Sequence, residues 1–189
     1  MSKNIIKHRI KLHDMYEWKA TCLMYNSLNI YSKLTHTIQM HTWWVVTQRV
    51  PHIYKQVSAV MAVIMGSQPS SMQRNFDHKF CQLCDGRASD NVLHVLFNCE
   101  ALAPVRDRKL NAMYNSMPSA MINTYQIMNE NEKAIFLLSP LSCKFISEWL
   151  NIYEAIANMV FGLYSTRSEL YDDLVSHNGE NRDNGGNLG

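Results

Sequence analysis

Three cysteines and one histidine lie close together in the middle of the chain, and no other feature limits its fold as strongly. They are Cys81, Cys84, His94 and Cys99, with the spacing C-x2-C-x9-H-x4-C. A Cys-x2-Cys turn places two thiolates on one side of a tight loop, and a later His and Cys complete a tetrahedron. Because four protein ligands leave no open position for a reacting water, the pattern predicts a closed, structural Zn²⁺ site.

Other interpretations of these thiols stay open. The cysteines could be buried without a metal, or Cys81 and Cys84 could form a redox dithiol. A redox Cys-x-x-Cys normally lies between a strand and a helix N-terminus, and no strand pattern precedes Cys81. Three further residues near the cysteines are alternative fourth ligands: His78, Asp85 and Asp90. His94 is favoured over them because it completes a spacing similar to that of zinc knuckles.

The H-x4-C half of the pattern raises a geometric problem. Ser89 or Asp90 is predicted to cap a short helix that runs to Asn98. His94 and Cys99 would then lie about 140° apart around a regular α-helix, so both could not face one ion. Either the helix ends before Cys99 or its last turn loosens, and we expect the former.

Composition and periodicity predict a helical protein. Glycine (7) and proline (5) are scarce among the 189 residues, and 47% are hydrophobic, which favours helices around a substantial core. Apolar residues recur every three or four positions over about 52–65, where Pro51 starts the helix and Gly66 ends it. A second periodic run, about 141–175, predicts a helix buried over a wide arc. We therefore expect a mostly α-helical single domain with a small Cys-Cys-His-Cys zinc loop in its middle.

The chain is predicted to have four segments: N-terminal helices (1–70), the zinc-binding segment and following helix (71–115), C-terminal helices (116–176) and a disordered tail (177–189). The tail is rich in Asn and Gly and poor in apolar residues. In this scheme the zinc loop joins the N-terminal helices to the C-terminal ones. Phe76 and Phe80 are expected to pack the loop onto the helical core.

Cysteine use and hydropathy predict a soluble, intracellular protein. Five cysteines, with three clustered beside a histidine, indicate a metal site and spare thiols rather than a disulfide framework, which suits a reducing compartment. The N-terminus has no continuous apolar stretch of the kind found in signal peptides. No apolar run approaches the roughly 18 residues of a membrane span, so no membrane association is expected.

A basic group directly follows the zinc loop. Arg106, Arg108 and Lys109 are predicted on one side of a helix over about 104–115, where they could contact phosphates of RNA or single-stranded DNA. The alternative is an ordinary surface helix, with Glu100 and Asp107 partly neutralising the charge. The net charge of +2 is too small to decide between the two.

The motif region also resembles a known family, the zinc-binding region at the C-terminal end of non-LTR retrotransposon reverse transcriptases. The resemblance depends on these residues: Phe80 to Asp85, Asp90 to Cys99, Leu102 and Arg106, with flanking Trp43, Trp44, Arg49, Phe136 to Leu138, Trp149, Tyr153 and Arg167. It implies nucleic-acid binding and residence in the nucleus. The 189 residues contain no polymerase palm or endonuclease motif, so the resemblance does not imply enzymatic activity.

No motif for catalysis is found. The chain has no P-loop, G-x-S-x-G or dinucleotide fingerprint, and no small-molecule substrate is evident. Tyr171-Asp172-Asp173 superficially resembles the Tyr-x-Asp-Asp turn of polymerases, but no residue separates Tyr171 from the acidic pair. We therefore predict a non-enzymatic nucleic-acid-binding module. The alternative is a structural or interaction domain, a retroelement remnant in which zinc only stabilises the fold.

Overall fold

In the computed structural model of the protein, residues 42–65, 80–84, 88–139 and 146–183 are described, with side chains from 149 to 176 in the last range. Predictions for residues 1–41, for Phe76, and for the final residues of the tail lie outside these ranges. Two other predicted ligands, His78 and Asp85, also lie outside them.

The first described helices form around Pro51. Helix α1 spans Thr42–Arg49, and a 3-10 turn over Pro51–Ile53 leads directly into helix α2, Tyr54–Ile64. Proline suits this start because its ring presets the backbone angle φ and its missing N–H would have no partner there. The predicted helix over about 52–65 is confirmed, with its regularly spaced apolar side chains buried.

Three further helices follow the cysteine-rich segment. Helix α3 spans Ala103–Asn115, α4 spans Ser119–Ile127 and α5 spans Glu130–Leu138. Helix α5 begins with a capping box. The Asn129 side chain accepts from the Glu132 N–H at 3.1 Å, and the Glu132 carboxylate accepts from the Asn129 N–H at 2.9 Å. Two N–H groups that the helix itself leaves unpaired are thereby satisfied.

Helix α6 is the longest element, Ile146–Asp183. Its two predicted apolar rows are largely buried: Ile152, Tyr153, Ile156, Ala157, Val160, Leu163 and Tyr164. The helix continues beyond 176, so the prediction of a disordered tail is wrong for 177–183. Each residue added to an existing helix gains one hydrogen bond without a new nucleation step. The composition of 177–183 does not show that a helix already precedes these residues.

Helices α2 and α3 both pack along α6. The indole N–H of Trp43 donates to the carbonyl oxygen of Leu138 at 2.7 Å, which joins α1 to the end of α5. Within the described ranges the fold is helical with no strands, as predicted, and the Cys-Cys-His-Cys cluster lies in the middle of the chain. None of the helices described here has the length and apolar character needed to cross a membrane.

Candidate metal centre

A short hairpin positions the first two cysteines. Phe80 and Ser89 form an isolated antiparallel bridge, and the Cys81 N–H donates to the Ala88 carbonyl oxygen at 2.9 Å. Residues 82–84 turn immediately after this bridge. Cys81 and Cys84 are therefore fixed at the start and end of one tight turn, the arrangement that the C-x2-C spacing predicts.

The His94 and Cys99 side chains are brought together by a π turn. Residues 92 and 93 are α-helical, and His94–Asn98 then forms a π-helical turn in which the Cys99 N–H donates to the His94 carbonyl oxygen. Cys99 itself is extended, with φ −66° and ψ 115°. The helix both loosens and ends before Cys99, so the two alternatives for this segment occur together.

The cap of this helix differs from the prediction. Asn91, rather than Ser89 or Asp90, caps it, because the Asn91 side-chain oxygen accepts from the His94 N–H at 2.9 Å. This bond fixes the start of the turn that carries His94. Asp90 is instead engaged by a side chain of helix α6.

The four predicted ligands form one cluster. The potential ligand atoms of Cys81, Cys84, His94 and Cys99 all lie within 4.8 Å of one another, and this group could hold a metal ion. Cys84 Sγ is 3.5 Å from His94 Nε2 and 3.6 Å from Cys99 Sγ. Cys81, His94 and Cys99 are buried, and Cys84 is half-buried. The imidazole thus presents its Nε2 atom to the thiols.

The protonation chemistry of the cluster fits a bound cation. Burial, the hydrogen bond with Cys84 and the neighbouring thiols raise the pKa of Cys99 to about 12. Burial also lowers the pKa of His94, and the nearby Asp90 offsets this only in part. The imidazole is therefore neutral at pH 7, the form that binds metals, whereas the Cys99 thiol keeps its proton until a cation is bound.

Arg106 is buried beneath the cluster and does not face solvent. Its side chain is 7% exposed, and its guanidinium donates to the carbonyl oxygens of Phe97 and Cys99. The prediction that Arg106 contacts phosphates is therefore wrong. Helical geometry explains the error, because Arg106 and Arg108 are two residues apart and so face nearly opposite sides of α3.

The charge of Arg106 supports the presence of a metal. Within the described ranges Arg106 has no carboxylate partner, although buried charges are normally paired. Three thiolates and one divalent ion would carry a net charge of about −1. An occupied centre would therefore provide the negative charge that this buried guanidinium lacks.

Helix α6 reaches the cluster through Arg167 and Tyr171. Arg167 is 1% exposed and forms an ion pair with Asp90. Burial alone would lower the pKa of Arg167, but Tyr171 and Asp90 raise it overall, so the side chain stays charged. The Tyr171 hydroxyl contacts the 81–84 turn. The sequence patterns did not assign these contacts, because residues 77 and 90 positions apart share no local signal.

The other two predicted phosphate contacts have different surroundings. Arg108 is exposed on α3. Lys109 is half-buried and lies across α6, where its Cε atom is 2.8 Å from the position that a Cβ atom on Gly162 would occupy. The three basic residues therefore do not form one surface. Phe80, expected to pack on the core, is 47% exposed.

Comparisons of the chain with family models, with curated proteins and with solved structures found no match. The resemblance to the zinc-binding region of retrotransposon reverse transcriptases accordingly stays a prediction from the motif residues.

Proposed function

We propose that Cys81, Cys84, His94 and Cys99 bind one Zn²⁺ ion. The observation that carries this proposal is the grouping of four ligand atoms within 4.8 Å, from a turn and a π turn that are separate in sequence. Thiolates with one imidazole are a ligand set typical of structural zinc sites, and carboxylate-binding ions such as Mg²⁺ and Ca²⁺ prefer oxygen donors.

The role of the ion is structural. Four protein ligands would fill a tetrahedral shell, and the burial of three of them supports a site that excludes substrate. Binding at such a site contributes on the order of 10 kcal/mol to folding, which equals the net stability of many domains. We propose no catalytic role for the metal centre.

We further propose that the zinc module binds single-stranded nucleic acid, the function that the motif resemblance implies. Two observations support it. Phe80, directly before the first ligand, leaves its aromatic ring half exposed, and bases stack on such rings. Arg108 is an exposed cation on the helix that follows the centre. Arg106 contributes to the fold instead.

A second candidate function is a protein-interaction domain. It is favoured by an apolar groove of about 550 Å³ between α4 and α5, beside which Ile127 is 86% exposed and Ile135 is 43% exposed. Exposed apolar surface of this kind is typical of sites that contact other proteins. In this case zinc would stabilise the fold and the groove would bind the partner.

An RNA titration at two salt concentrations separates the two candidates. Phosphate binding predicts that the logarithm of the affinity falls linearly with the logarithm of salt concentration, by about 0.7 per neutralised phosphate. Phe80→Ala should weaken binding through lost stacking, and Arg108→Ala should lower the salt slope. Lys55→Ala, which removes an exposed cation from α2, is the charge-matched control and should leave the slope unchanged. No binding at low salt would leave only the interaction domain.

A further inference from the structure

A buried polar chain connects helix α6 to both halves of the ligand set. Arg167 donates to Asp90 Oδ2, which lies just before the turn that carries His94. Arg167 also lies 3.5 Å from the Tyr171 hydroxyl, and its guanidinium carbon is 5.2 Å from the centre of the Tyr171 ring. Tyr171 in turn contacts the 81–84 turn. One face of α6 therefore contacts both protein segments that supply ligands.

The Tyr171 hydroxyl lies beside the first ligand of the cluster. Its oxygen accepts from the Gln82 N–H at 3.1 Å and from Arg167 at 3.5 Å. The same hydroxyl is placed to donate to Cys81 Sγ, 4.0 Å away. A thiolate accepts such a bond more strongly than a neutral thiol does, because a charged acceptor strengthens a hydrogen bond.

We propose that Tyr171 is a positioning residue of the metal centre: its hydroxyl holds the Cys81 thiolate, and Arg167 with Asp90 fixes the hydroxyl in place. Tyr171 thereby sets the affinity for the metal from a helix that supplies no ligand. This inference rests on the proposed zinc function. Partners of this kind orient the ligands and tune the metal, and their loss typically weakens metal binding about 10- to 100-fold.

The test compares Tyr171→Phe with Tyr164→Phe in the full chain. Both changes remove one buried hydroxyl from α6 and keep the ring, but Tyr164 makes no hydrogen bond to the 81–84 turn in the described part of the chain. Zinc affinity is measured by competition with a chromophoric chelator. The thiolate-to-metal charge-transfer band is measured with Co²⁺ in place of zinc.

For Tyr171→Phe we expect zinc binding about 10- to 100-fold weaker and a charge-transfer band at lower energy, because the Cys81 thiolate loses a hydrogen-bond donor. For Tyr164→Phe both quantities should match the wild type. A purely structural role for Tyr171 would not move the band of the protein that has bound Co²⁺. Affinity within twofold of wild type and an unchanged band would overturn the proposal.

Two further outcomes are distinguishable. If wild-type protein binds neither Zn²⁺ nor Co²⁺, the metal-binding function fails, and this inference fails with it. If Tyr171→Phe does not fold, Asp90→Asn decides, since it keeps the tyrosine but removes the carboxylate that anchors Arg167. Zinc affinity at least tenfold weaker in that variant supports the proposal, and a smaller change refutes it.

Discussion

The main-chain N–H of Cys99 donates to the carbonyl oxygen of His94, five residues earlier, at 2.7 Å. This i to i+5 bond defines a π turn, a local widening of the helix that is frequent at functional sites. It places Cys99 one turn beyond His94, so both side chains reach the same cluster. The H-x4-C spacing therefore matches a π turn, where an α-helix would separate the two ligands.

The cap of this turn gives the first prediction. Asn91→Ala removes the acceptor for the His94 N–H and should lower the free energy of unfolding of the zinc-loaded protein by about 1 kcal/mol. Denaturant unfolding measures the difference. Asn91→Ser, which retains a capping oxygen, should lose only part of this free energy of unfolding. Equal losses in the two variants would show that the cap does not stabilise the turn.

Arg106 and Arg108 provide a matched pair on α3. Arg106→Met removes two charge-assisted hydrogen bonds and leaves the Phe97 and Cys99 carbonyl oxygens without that donor. The expected loss in the free energy of unfolding is about 3 kcal/mol. Arg108→Met, at an exposed position, should change it by less than about 0.5 kcal/mol. Similar losses in both variants would contradict the buried role of Arg106.

A change at Gly162, which lies against Lys109, is predicted to stabilise the protein. Alanine is favoured over glycine inside a helix by about 1 kcal/mol. A Cβ atom at position 162 would meet the flexible end of Lys109, which can move aside. Gly162→Ala should therefore raise the free energy of unfolding by up to about 1 kcal/mol, measured by thermal unfolding. A lower midpoint in Gly162→Ala that Lys109→Ala does not restore would contradict this.

Zinc binding should release a proton from Cys99 at neutral pH. Burial is the largest of the causes that raise the pKa of this thiol to about 12, so the metal-free thiol keeps its proton. Burial also lowers the pKa of His94, so the imidazole has no proton to release. Because a proton competes with zinc for the sulfur, Cys99 alone should lower the apparent affinity about tenfold for each unit that pH falls.

Calorimetry in two buffers of different ionisation enthalpy counts these protons. At least one proton should be released per zinc ion bound at about pH 7. Cys99→Ser should release fewer. An apparent affinity that does not change between about pH 6 and pH 8 would show that zinc does not displace the Cys99 proton.

The local features of this fold could be predicted from the sequence, and the long-range ones could not. Pro51 and the apolar period over 52–65 each act within a few residues, so pattern alone located this helix. Spacing likewise identified all four members of the cluster. The π turn itself could not be predicted from the sequence. Helical geometry excludes a regular α-helix through Cys99, but it does not specify which structure replaces it.

The roles of Arg106 and Tyr171 depend on which elements pack together. Three cations close in sequence predict phosphate binding by Arg106, but only the contact of its guanidinium with the Phe97 and Cys99 carbonyl oxygens shows that its side chain points inward. Tyr171 belongs to a sequence that superficially resembles a polymerase motif, and its contact with Gln82 spans 89 positions. Such contacts join residues that are far apart in sequence, so they depend on how the helices pack and cannot be predicted from a local pattern.

The metal content of the purified full chain tests the central claim most directly. Elemental analysis, with mass spectrometry of the cysteines, should find one zinc ion per chain and reduced Cys81 and Cys84. Cys81→Ser should lose the zinc and unfold at a markedly lower temperature. A chain without zinc that carries a Cys81–Cys84 disulfide, or a Cys81→Ser variant with an unchanged thermal midpoint, would contradict the account.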